Sequence, residues 1–118
     1  METQLYDGQI SLVLILTGLS LFFILLGFIL IKFPPKEINS FYGYRTSQSM
    51  SSKIKWHLAQ EYSAKWFIGT GIFLTLFLGI SYFINLNPLV LSITYVSMMI
   101  VFIVLQIIFT ERELKTLD

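Results

Sequence analysis

Two stretches of this chain carry no charged side chain: residues 8–31, between Asp7 and Lys32, and residues 66–110, between Lys65 and Glu111. All fifteen charges of the 118 residues therefore fall in the remaining 49 positions. A soluble surface needs charges interspersed across it, and so short a chain cannot bury that much contiguous apolar sequence. A soluble enzyme and a nucleic-acid-binding domain are thereby excluded. The chain reads as an all-α, polytopic integral membrane protein with a single membrane domain over 1–118, since helices satisfy their own backbone within hydrocarbon.

The first stretch has 24 residues, and a helix needs roughly 20 to cross about 30 Å of hydrocarbon. It supplies one span, at about 9–33. Its N-terminal flank carries acids and no base, and no small-x-small cleavage site follows, so it is expected to stay as a span rather than be removed as a signal peptide. The second stretch suits two helices and is broken at Asn85, Leu86, Asn87 and Pro88, residues that favour a turn and stop a helix. Spans are expected at about 66–84 and 89–110, with a tight hairpin between them and a long loop over 34–65.

The loop region holds Lys32, Lys36, Arg45, Lys53, Lys55 and Lys65, the C-terminal tail Arg112 and Lys115, and the N-terminus and hairpin neither Lys nor Arg. By the positive-inside rule the loop and C-terminus are expected in the cytoplasm and the N-terminus outside, in a cell membrane. Tyr6, Tyr82 and Phe83 would mark the outer boundary and Phe33 and Trp66 the inner one.

No charged side chain lies inside the bilayer, where polarity is limited to hydroxyls, Tyr95 and Gln106; this argues against a proton-coupled exporter, because such proteins keep a membrane carboxylate. Tyr95, Met99, Phe102 and Gln106 share one face of the third helix, either packing inward or forming a groove for an apolar peptide or lipid. Gly71, Thr75 and Gly79 recur every four residues, a small-residue seam for helix packing within the chain or, in a homo-oligomer, between copies.

The loop is the informative segment. Pro34 and Pro35 end the first helix. The aromatic-rich run Lys36-Glu37-Ile38-Asn39-Ser40-Phe41-Tyr42-Gly43-Tyr44-Arg45-Thr46 follows, unlike a tether, which would be rich in Gly, Ser and charge. It is expected to fold against the bundle, with Gly43 at a turn that a side chain would obstruct and Asn39 and Thr46 shaping the loop. Ser51 or Ser52 can cap a helix starting near Lys53. Ile54, Leu58, Tyr62 and Trp66 form one apolar stripe on it, and Trp56, Ala59, Ser63 and Phe67 another. Lys53, His57, Gln60 and Glu61 take the polar arc. So wide an apolar arc predicts a helix lying in the membrane interface, with Trp56 as an anchor and Lys55 snorkelling.

Pro34-Pro35, Ile38-Asn39, Tyr42-Gly43-Tyr44-Arg45-Thr46, a serine-rich spacer and Trp56 with Ala59 together resemble the SdpI-type immunity protein family, over roughly residues 29–73. The resemblance implies a bacterial membrane protein that protects the producer against a secreted peptide toxin.

Arg45 is the leading binding candidate, because a guanidinium near the membrane surface holds a carboxylate or phosphate through two parallel hydrogen bonds. Lipid phosphate, Glu37 and Glu61 are its ordinary alternatives. Asn39, Tyr42, Gly43, Tyr44, Thr46 and Trp56 complete the candidate loop site for toxin, partner or lipid. His57 and Glu61 supply half a metal site that nothing completes, so no metal and no other cofactor is expected. No nucleophile, base and orienting group converge, so no enzymatic activity is expected. The loop cations answer to topology and anionic lipid headgroups rather than nucleic acid. The expected function is immunity, by binding an antimicrobial peptide or protein toxin or shielding its membrane target. Its rivals are a signalling protein whose loop recruits a cytoplasmic regulator and an accessory subunit of a transporter.

Overall fold

The computed structural model describes the backbone of residues 2–118 and the side chains of residues 7–118. Three helices follow in order: α1 (Glu2–Lys32), α2 (Lys53–Phe83) and α3 (Pro88–Lys115). All three are long and apolar enough to cross a membrane. They run up and down, so that residues 33–52 join α1 to α2 at one end, the loop end, and residues 84–87 join α2 to α3 at the other. Tyr6, expected at the outer boundary, lies outside the described side chains.

Local chemistry sets these ends. The Phe33 amide makes the last turn of α1 by donating to the Ile29 carbonyl at 2.8 Å, and the two prolines that follow supply no further donor. Ser52, extended at φ −156°, caps α2 by accepting the Lys55 amide at 3.2 Å. At the hairpin Asn85 takes a left-handed φ of 49°. The Asn87 side chain then accepts the Leu89 amide at 2.8 Å, and Pro88 opens α3 where no backbone donor is required.

The interfacial helix expected in the loop is not present. Lys53 instead begins a single unbroken α2 of 31 residues, and its first 13 residues extend the span by about 20 Å. The stripe of Trp56, Ala59 and Ser63 is fully buried against protein rather than lipid, as is Gln60 from the expected polar arc. Lys55 does not snorkel alone: its ammonium pairs with Asp118 at 2.6 Å, joining the start of α2 to the end of the chain.

α1 and α2 pack along a seam of small residues. A Cβ on Gly71 would sit 2.6 Å from the Ser20 carbonyl oxygen, and one on Gly27 2.6 Å from that of Ala64. Ser20 and Gly27 are seven residues apart, as are Ala64 and Gly71, so two antiparallel helices meet twice at backbone distance. Of the expected Gly71, Thr75, Gly79 row only Gly71 serves in this way. Thr75 donates to the Gly71 carbonyl, and Gly79 faces open space. The core gathers towards the hairpin end around Leu16, Phe23, Leu74, Leu78, Leu91 and Tyr95. There the Tyr95 hydroxyl stands 2.6 Å from Ser20 Oγ and 3.0 Å from the Leu16 carbonyl, tying α3 to α1.

Candidate functional site

Residues 33–52 fold into a cap held by side chains of α2 and α3. Asn39 turns the chain by accepting the Phe41 and Tyr42 amides at 2.9 and 2.7 Å, and the Tyr42 hydroxyl donates to the Phe33 carbonyl at 2.8 Å. Gly43 follows at φ +107°, where a Cβ would also strike the Gln60 side chain and the Pro35 ring. Closing the turn, Thr46 and Ser49 bond each other: Ser49 Oγ accepts the Thr46 amide at 2.8 Å, and Thr46 Oγ1 accepts the Ser49 amide at 3.1 Å.

Three residues of the helices anchor this cap. Trp56 of α2, fully buried, donates its indole N–H to the Pro35 carbonyl at 2.6 Å. Gln60, one turn further on and 1% exposed, accepts the Tyr44 amide at 2.7 Å and returns its own amide to the Tyr44 carbonyl at 2.9 Å, as a strand would. Glu111 of α3 accepts both the Tyr44 phenol and the Thr46 hydroxyl on Oε1, each at 2.7 Å. Its backbone carbonyl takes the Gln48 amide at 2.7 Å. Burial first, and then the neighbouring Glu111 carboxylate, push the Tyr44 phenol well above its ordinary value, so it stays a neutral donor. With its Oε1 committed to two hydroxyls, Glu111 acts as a strut.

Beneath the cap α1 and α3 part. Leu26 and Leu30 of α1, Phe67 of α2, and Ile103, Gln106 and Ile107 of α3 line a cleft of about 400 Å³, roofed by residues 42–46. Apart from Gln106 its walls are aliphatic and aromatic, and Arg45 stands at its mouth, exposed. Neither acid expected as an alternative partner engages Arg45, since Glu37 faces Lys53 at 3.8 Å and Glu61 faces Lys65 at 3.3 Å.

The structure thus brings Tyr42, Gly43, Tyr44, Arg45 and Thr46 together on the roof, while Asn39 and Trp56 hold the roof from behind. Trp56 is a buried strut rather than a membrane anchor. Phe41, 91% exposed, is the one aromatic of the run that does not fold back. The face of α3 carrying Tyr95, Met99, Phe102 and Gln106 points inward and forms no single groove. Tyr95 and Met99 join the core, Phe102 meets Phe73 at 4.8 Å between ring centres, and Gln106 alone opens on the cleft. His57 is exposed and Glu61 bonds Lys65 on its own helix.

Gln60 and Glu111 are the organising residues that sequence reasoning missed. Glu111 had a signal, as the first charge after 45 uncharged residues. Gln60 had a weaker one, as an amide directly beside the Trp56 and Ala59 stripe.

Residues 36–110 match the model of the SdpI/YfhL protein family. The chain is 36% identical over 92 residues to the uncharacterized protein YfhL of Bacillus subtilis (strain 168), covering 78% of each chain. No solved structure matches it.

Proposed function

Because this chain belongs to the SdpI/YfhL protein family, we propose that it protects its cell against an antimicrobial peptide or protein toxin. Protection would come from binding the toxin or shielding its target in the bilayer, not from chemistry. The observation that carries this reading is the extent of the family match. Residues 36–110 take in the whole roof and two of the three cleft walls, lacking only Leu26 and Leu30 of α1. The shared part of the chain is therefore the part that builds a recess in the membrane.

In this reading the loop and C-terminus face the cytoplasm, in keeping with the eight basic side chains on that side. On the opposite side only residues 84–87 join α2 to α3, and an incoming toxin is met mainly by helix surfaces within the bilayer. Apolar side chains such as Leu14, Ile15, Leu76 and Ile93 already face outward there.

Expression in a toxin-sensitive strain tests the proposal. The wild-type chain should raise the concentration of a cognate or neighbouring peptide toxin needed to halt growth, and Glu111→Ala, which unfastens the roof, should lose that protection at equal membrane abundance. Absence of protection against every such toxin would count against immunity.

A further inference from the structure

The cleft between α1 and α3 combines three features that point to one ligand class. Its body is apolar and open along one side of the bundle, where lipid chains lie, and its volume of about 400 Å³ falls within the ~300–1,000 Å³ usual for small-molecule sites. At the mouth Arg45 forms no salt bridge among the described residues: Glu37 and Glu61 bond lysines, and Glu111 turns its Oε1 to the Tyr44 and Thr46 hydroxyls. Inside, Gln106 is 4% exposed and opens on the cleft. Its amide, the one polar group that α3 turns into the cleft, can donate there to a ligand.

The order of these groups along the cleft matters. Residues 44 and 46 are fastened at the level of Glu111, and Gln106 lies five residues earlier on α3, about 7.5 Å deeper along the axis. A ligand that fits therefore carries an anion at one end, a hydrogen-bond acceptor below it and an apolar chain beyond. We propose that the cleft binds one anionic phospholipid of the loop-side leaflet. Arg45 holds the phosphate, Gln106 donates to a glycerol-ester carbonyl, and an acyl chain lies between Leu30 and Ile107. Basic recesses between transmembrane helices at a membrane surface recognise acidic headgroups on the same grounds. The proposal does not rest on the immunity reading, since lipid occupancy is measured on the purified chain without toxin.

Native mass spectrometry of the full chain in mild detergent, titrated with phosphatidylglycerol or phosphatidylcholine of identical chains, provides the test. Phosphatidylglycerol should bind at one site about tenfold more tightly, because phosphatidylcholine brings the same phosphate together with a quaternary ammonium that the Arg45 guanidinium repels. Arg45→Gln should erase the preference and Arg45→Lys restore part of it. Gln106→Leu should weaken both lipids alike. Ile107→Trp, which fills the cleft, should exclude both while helix content by circular dichroism is unchanged. Equal binding of the two lipids by the wild type, or phosphatidylglycerol binding indifferent to Arg45→Gln and Ile107→Trp, would overturn the proposal. So would full competition by inorganic phosphate, which would mark a free-anion site instead.

Discussion

α1 makes two contrasting interfaces. Against α2 it presents Ser20 and Gly27 to Gly71 and Ala64, and the backbones touch. Against α3 it touches firmly only near Tyr95, and at the loop end Leu26 and Leu30 face Ile103 and Ile107 across a cleft. Lipid is as apolar as leucine, so burying leucine against leucine gains little in a membrane, whereas close backbone approach gains dispersion that lipid cannot match. Small residues therefore close the first interface. Bulky ones leave the second open, and a polar loop must bridge it from outside the bilayer.

That contrast can be broken from either side. The largest effect is expected at the bridge: Trp56→Ala removes a fully buried indole and the donor to Pro35, and should cost about 3–5 kcal/mol. Thermal melting in detergent should show the loss, and proteolysis should open residues 33–52 while α1 and α2 stay protected. Next comes the seam, where Gly71→Leu forces a side chain into the Ser20 backbone and should cost about 1–3 kcal/mol. Crosslinking between cysteines placed on α1 and α2 should fall. Ile107→Ala on the open interface should cost less than either, which would confirm the contrast directly.

Smaller changes refine the bridge. Tyr44→Phe deletes one hydroxyl from a carboxylate acceptor, and about 2 kcal/mol should be lost. Gly43→Ala imposes a side chain at φ +107° and should cost about 1–2 kcal/mol. Finally, the Tyr44 pKa is raised on folding, so the folded state keeps its proton where the unfolded chain releases it. Its contribution is complete below about pH 10, the value for unperturbed tyrosine, and declines as pH rises above that. Melting temperature against pH should fall more gently above pH 10 in Tyr44→Phe than in the wild type.

Much of this was legible in the residues. Charge-free runs gave the helices, Pro34-Pro35 and Asn85 to Pro88 gave their ends, Ser52 gave a cap, and Gly43 gave the turn. The cap's folding against the bundle also followed from its aromatic composition. What misled was the apolar arc of residues 53–67: amphipathicity reports that a face is buried, not what buries it. Trp56, Ala59 and Ser63 would satisfy a membrane interface equally well, and only the return of Pro35 and Tyr44 over them decides otherwise. Likewise the four-residue spacing of Gly71, Thr75 and Gly79 is real, but α1 crosses at Gly71 and leaves Gly79 untouched.

By itself, then, the sequence determined that three helices are long and apolar enough to cross a membrane and that a folded segment sits at one end, because transfer free energies and backbone satisfaction are set residue by residue. Which helix pair closes and which stays open was decided only by the tertiary structure. The same holds for the pairing of Tyr44 with Glu111, 67 residues later. Such contacts depend on the register of helices distant in the chain, and no local period encodes it.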